Sequence, residues 1–161
     1  MNNKTILNAK LVADYFVYRG VKDKNPISNK KLQKLLYYAQ AWSLVLRGKR
    51  LFNEKIEAWV HGPAVREIYI KYKKYGFDPI NEVIELDKIK SIPKDVKNLL
   101  NEIWKVYGSK DANYLEMLTH SEKPWQEARG GLNSFENSEN IISKKSMQEF
   151  YSKLLEQVKK N

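Results

Sequence analysis

Ser28-Asn29-Lys30-Lys31-Leu32-Gln33-Lys34-Leu35-Leu36-Tyr37-Tyr38-Ala39-Gln40-Ala41-Trp42-Ser43-Leu44-Val45-Leu46-Arg47-Gly48 is the stretch that decides the fold. Leu32, Leu35, Leu36, Ala39, Trp42, Ser43 and Leu46 recur at helical spacing, Ser28 offers a capping hydroxyl, and Gly48 ends the run. An apolar stripe kept up over five turns requires a partner surface, so this is the expected central helix. Its expected outer face carries Lys30, Lys31, Lys34 and Arg47. Tyr37 and Tyr38 sit about 100° apart on such a helix, so one of the two is expected to be exposed beside Lys30 and Lys34.

Further helices follow on either side. Upstream, Asn8 can cap a helix to Arg19, with Leu11, Val12, Tyr15 and Phe16 as its stripe and Gly20 as its stop. Downstream, residues 51–60 break helical period; Ile56, Ala58 and Val60 alternate with Glu57 and Trp59 and read as a short strand. After His61 and Gly62, Pro63 suits the first position of a third helix, running to about Tyr75 before Gly76. Val83, Ile84 and Leu86 suggest a second short strand. A fourth helix opens at Ser91-Ile92-Pro93, with Val96, Leu99, Leu100, Ile103, Trp104 and Tyr107 on one stripe. Asp111 caps a fifth over 112–119, a turn through Arg129 ends at Gly130-Gly131, and 132–140 is a polar linker. Ser143 caps the last helix, with Met147, Phe150, Tyr151, Leu154 and Val158 inward. The expectation is mainly α: one domain, a helical globule of about six helices with one or two short β-strands. All four Trp residues fall on positions compatible with a core.

Composition narrows the function. The chain has 161 residues, 42% hydrophobic and 12% aromatic, which is too rich for a disordered polymer and enough for one core. Cysteine is absent, which removes disulfides and thiol nucleophiles. No run reaches the roughly 18 apolar residues of a membrane span, and Met1-Asn2-Asn3-Lys4 opens no apolar leader core, so a cytoplasmic protein without membrane association is expected. The net charge of +10 is concentrated at one end: residues 1–50 carry +9, residues 51–100 carry +1, and the rest are neutral. Either a solvated Lys-rich surface or a face steered to an acidic partner, protein or nucleic acid, fits that distribution.

Catalytic and metal signatures are missing. His61 and His120 are the two histidines, and zinc would need carboxylates such as Glu57 or Glu122 beside them. His120 is expected to satisfy a helix end, and His61-Gly62-Pro63 to form a tight turn. No Gly-x-Ser-x-Gly elbow appears, and Gly130-Gly131 lacks the Lys-Ser/Thr of a phosphate loop. Carboxylate pairs such as Glu54 with Glu57 and Glu82 with Glu85 read as surface charge. Neither enzymatic activity nor a cofactor or metal is expected. With ten Tyr and four Trp against five Phe, the aromatics are of the amphipathic kind favoured at interfaces. The expected contact residues are Lys30, Lys31, Lys34, Tyr37 and Tyr38. The same mixture of charge and ring would suit single-stranded nucleic acid.

Three segments taken in order resemble one family. They are Lys31-Leu32-Gln33-Lys34-Leu35-Leu36-Tyr37-Tyr38-Ala39-Gln40-Ala41-Trp42; then Leu51-Phe52 leading to Ile56-Glu57-Ala58-Trp59-Val60-His61-Gly62-Pro63, with Val65, Tyr69 and Tyr75-Gly76; and Leu118-Thr119-His120-Ser121-Glu122-Lys123-Pro124-Trp125 with Ala128-Arg129. In this order and spacing they resemble the Panacea, or SocA-like, antitoxin domain, also labelled phage-associated GepA-like, over roughly residues 8–155. The motif positions Leu32, Leu35, Trp42, Trp59, His61, Gly62, Pro63, His120, Pro124 and Trp125 are expected to be structural. The resemblance implies a helical domain that neutralises a partner toxin, here expected from the adjacent gene. Family members are paired with toxins of several unrelated kinds, and one hands its toxin to a protease as an adaptor. Some carry an added DNA-binding segment; this chain opens directly in the domain, so repression at DNA is not expected of it. Sequestration of the toxin, its proteolytic delivery, and a nucleic-acid-binding regulator stay open as alternatives.

Overall fold

Helix α1, Ala9–Lys22, begins where the Asn8 side chain accepts a bond from the Leu11 N–H at 2.8 Å. The computed structural model describes residues 6–161, so the reading of Met1 to Lys4 lies outside it. Gly20 does not stop α1 as expected. It lies inside the helix, because the returning loop passes so close that a Cβ there would sit 2.8 Å from the Asn25 carbonyl oxygen. The chain turns instead at Lys24, which adopts φ 57°.

Helix α2, Asn29–Leu46, starts at the expected cap, with the Ser28 hydroxyl accepting from the Lys31 N–H at 3.2 Å. Fourteen of its eighteen residues are buried, so it is enclosed on all sides and has no broad solvent face. Helix α1 and three later helices surround it: α5 (Lys94–Tyr107), α6 (Ala112–His120) and α8 (Lys144–Lys160). Burial on that scale forces its polar side chains to find partners indoors, and they find backbone groups of neighbouring segments. Gln40 accepts from the Leu51 and Phe52 N–H groups at 2.7 and 3.2 Å and donates to the Phe52 carbonyl at 2.9 Å. Asn29 donates to the Tyr69 carbonyl at 3.0 Å, and Ser43 to that of Lys49 at 2.8 Å.

Strands β1 (Glu57–Trp59) and β2 (Gly62–Ala64) form an antiparallel hairpin in which Glu57 faces Ala64 and Trp59 faces Gly62. Pro63 is therefore not the first residue of a helix. It lies in β2, at the ribbon's outer edge, where a residue without an N–H is tolerated, and α3 begins later, over Arg66–Tyr72. On the other side of β1, the Ala58 N–H donates to Asn140 and the Ile142 N–H to Ile56, each at 2.8 Å. The polar linker is thus pinned to the hairpin. No strand forms at 83–86: Val83 is 97% exposed, and Leu86 opens the short helix α4, Leu86–Lys90. A second short helix, α7 (Lys123–Arg129), replaces the expected turn, with Pro124 in its first turn. These two bring the total to eight helices among the described residues, with one two-stranded sheet. The protein is mainly α. Trp104 and Trp125 enter the core as expected, while Trp42 and Trp59 are half-buried.

Candidate partner-binding site

The exposed Lys–Tyr face expected on α2 does not exist. Lys31 is buried and donates to the Gly108 carbonyl at 2.6 Å. Lys34 is 2% exposed and donates to the Pro63 carbonyl at 3.0 Å. Burial takes the Lys34 amine down from 10.5 to about 7, with Glu116 opposing and Lys30 assisting. Lys30 alone reaches the surface, where it pairs with Glu116 and donates to Asn113 at 3.0 Å. Burial works to raise the Glu116 carboxyl, but Lys30, helped by His61, takes it below its usual range. Arg47 is half-buried, 3.4 Å from Asp95.

Tyr37 and Tyr38 are both fully buried, their rings meeting edge to face with centroids 5.1 Å apart. The Tyr37 and Tyr151 hydroxyls are 2.9 Å apart, and Tyr38 stacks on Tyr107 with ring centroids 4.0 Å apart. Tyr38 and Tyr151 both donate to Glu122 Oε1, at 2.7 and 2.8 Å. Burial pushes the Glu122 carboxyl above its usual range, and the two hydroxyls work the other way. Two of the four Trp residues sit at the edges of these arrangements, each with its indole N–H engaged: Trp42 with the Tyr107 hydroxyl at 2.9 Å and Trp59 with Glu57 Oε1 at 2.8 Å.

The three motif segments instead converge on the hairpin. From α2, Lys34 holds the Pro63 carbonyl and Gln33 accepts from the Val65 N–H at 2.8 Å. From α7, the Trp125 indole donates to the Trp59 carbonyl at 2.8 Å and Arg129 to that of Ala58 at 3.2 Å. Arg129 also holds the Asn133 and Glu136 carbonyls, at 2.8 and 2.6 Å, which fixes the start of the linker. Gly62 is needed where it stands. Its φ is 107°, and a Cβ would lie 2.6 Å from Lys34 Cε and 3.1 Å from the Thr119 hydroxyl. The His120 ring does not bond a helix end. It stacks on Trp125 at 3.9 Å, and its Nε2 is buried without a hydrogen-bond partner. Burial lowers its pKa. His61 is exposed, with Nδ1 3.5 Å from Glu116 Oε2.

Trp59 divides two hollows on the surface of this gripped hairpin. One, of about 670 Å³, is lined by Trp59, Val60, His61, Arg66, Phe135 and residues 137–139. The other, of about 250 Å³, lies between the start of α2, the hairpin and Phe77, with Lys30, Lys34, Tyr69 and Lys73 in its wall. The Trp59 ring is fixed by an edge contact to Tyr69 at 5.0 Å and by the Arg66 guanidinium at 5.2 Å, itself bound to Glu57 at 2.7 Å. Phe77, on one rim, is 93% exposed and Phe135, on the other, is 88% exposed. Rings left this open on either side of a fixed Trp present apolar area to a partner. Both lie outside every periodic stripe, in Gly76-Phe77-Asp78-Pro79 and Asn133-Ser134-Phe135-Glu136-Asn137. An aromatic flanked by turn formers was the signal available for them. Among the described residues, no three His, Asp or Glu side chains gather as a metal-holding group.

A family model described as antitoxin SocA-like, Panacea domain, matches residues 32–126. The chain belongs to the SocA-like Panacea family. Antitoxin SocA of Caulobacter vibrioides (strain NA1000 / CB15N) is 29% identical over 135 residues, spanning 78% of this chain and 72% of that protein. No solved structure matches the chain. Panacea membership supports an antitoxin role and implies a toxin as partner. The Panacea match takes in α2 from Leu32 onward, the hairpin, Phe77 and Trp125, and ends before Arg129 and Phe135. No helix among the described residues is long and apolar enough to cross a membrane.

Proposed function

We propose that this protein is a cytoplasmic antitoxin, without catalysis of its own, that neutralises a protein toxin encoded by the adjacent gene through direct binding at the hairpin face. One observation carries the placement: Phe77 and Phe135 stand almost fully exposed on either side of the fixed Trp59, with a hollow beside each. A surface of roughly 800 Å² per partner suffices for a stable complex, and centrally placed aromatic and Arg anchors dominate such contacts. Lys73 adds positive charge at the smaller hollow, whereas Arg66 at the larger one is already paired with Glu57 and Glu139. The nucleic-acid alternative loses part of its footing, since Lys31 and Lys34 are buried and Lys10, Arg19 and Lys30 are ion-paired with Asp14, Asp23 and Glu116.

Coexpression with the adjacent gene product is the test. Growth arrest by that product alone is expected, with rescue by this protein and loss of rescue by the double variant Phe77→Ser/Phe135→Ser. Both rings lie outside the core, so the variant keeps its thermal midpoint. A neighbour that is harmless alone, or that stays toxic beside this protein, overturns the reading. Toxin half-life with and without the host protease separates sequestration from delivery.

A further inference from the structure

The 250 Å³ hollow has a chemistry of its own. Its wall contains Lys30, Lys34 and Lys73 and no carboxylate. Lys30 is already neutralised by Glu116, which leaves Lys34 and Lys73. Lys34 is the unusual one. It is 2% exposed, faces the hollow past the bare Cα of Gly62, and gives one N–H to the Pro63 carbonyl as its single hydrogen bond among the described residues. An ammonium group carries three donors, so two remain for an incoming acceptor. The rest of the wall is apolar or aromatic, with Trp59, Ala64, Tyr69 and Phe77 prominent. Its volume is below the roughly 300–1,000 Å³ of small-molecule pockets, which suits a side chain and one adjoining charged group.

Building on the antitoxin reading, we propose that this hollow receives an acidic peptide segment of the toxin, its carboxylate on Lys34 and the neighbouring apolar side chain between Trp59 and Phe77. A carboxylate fits better than a phosphate: one buried amine cannot compensate the desolvation of a dianion, and the wall holds no guanidinium for bidentate contact. The segment also adds counter-charge to that of Glu116, which is shared with Lys30 and His61, so docking draws a proton onto the amine. Glu116, Lys30, His61 and His120 are the titratable groups around that amine.

The experiment uses acetyl-Phe-Asp-amide as probe and acetyl-Phe-Asn-amide as its uncharged isostere, followed by amide NMR on the whole chain without toxin. The Asp peptide is expected to shift Gly62, Ala64 and Gly76 and to bind at least about tenfold more tightly than the Asn peptide. That preference is expected to shrink between about pH 6 and about pH 8.5 as Lys34 loses its proton. Lys34→Met abolishes the preference; Lys73→Gln, at an exposed position, reduces it and serves if the first variant does not fold. Equal binding of the two peptides, no shifts up to the solubility limit, or an undiminished preference in a folded Lys34→Met protein overturns the pocket. That failure leaves the antitoxin reading standing if neutralisation is intact, whereas a selective pocket beside a harmless neighbour sinks the antitoxin reading alone.

Discussion

Lys34→Met isolates the energetic consequence of enclosing an amine in α2. In the unfolded chain this amine holds its proton up to about pH 10.5, and in the folded protein only below about 7. Between those values the unfolded state binds more protons, so stability rises with pH and is lost as pH falls towards 7. Integrating that difference gives about 2 kcal/mol gained by the native protein between pH 7 and pH 9, and about 4 kcal/mol from pH 7 to full deprotonation. Methionine fills similar space without a charge but leaves the Pro63 carbonyl without its donor, at a cost of about 1–3 kcal/mol. The two effects oppose each other at pH 7, so the variant's absolute stability decides little; its slope decides. Urea unfolding of both proteins at pH 7, 8 and 9, read by tryptophan fluorescence, is the measurement. Burial also lowers the Lys31 pKa and gives both proteins a shared residual slope, so the decisive quantity is the difference between the two slopes, expected to be about 1 kcal/mol per pH unit. Parallel slopes would refute the claim that Lys34 is a desolvated, titrating amine.

Three further outcomes follow from named contacts. Gln40→Ala strips the partners from the Leu51 and Phe52 N–H groups and from the Phe52 carbonyl, and is expected to cost about 3 kcal/mol in denaturant unfolding; a loss under about 1 kcal/mol would mean the loop finds other donors and acceptors. Gly62→Ala meets both a φ of 107° and a 2.6 Å approach to Lys34 Cε, and should lower stability by about 2–4 kcal/mol, visible as a fall in thermal midpoint. Glu122→Gln keeps an acceptor for Tyr38 and Tyr151 while removing the ionisable group. Burial raises the folded pKa above 4.5, so the native protein loses stability as pH rises through that folded value. The Gln variant should lack this decline, and the same fall in both proteins between pH 4 and 7 would contradict it.

The helices were legible where local chemistry determines them. Asn8, Ser28, Asp111 and Ser143 cap as their side chains allow, each accepting from an N–H three residues on. The surroundings of α2 were not legible. A periodic stripe identifies one buried face; Lys34, off that stripe, reads as solvent-facing, and the stripe gives no signal for Gln33 or Gln40. Their partners are backbone groups at Val65, Pro63 and Phe52, remote in sequence and silent in any hydropathy pattern. Pro63 shows the same limit: a helix start and an edge strand are both compatible with it locally, and the pairing of Ala58 with Pro63 chooses between them. The motif segments were recognised as a set, but their meeting around the hairpin is a tertiary fact. Phe77 and Phe135 escaped because exposure in a loop leaves no periodicity to detect.

The grip of α2 and α7 on the hairpin separates two kinds of evolutionary freedom. Substitutions at Gln33, Trp125 or Arg129 remove a hydrogen bond to the hairpin backbone and so disturb the chassis. Substitutions at Phe77 and Phe135 alter only what is offered outward, at little thermodynamic penalty. On the proposed binding mode, a lineage built this way exchanges one adversary for another by rewriting two loop tips while its architecture stays untouched.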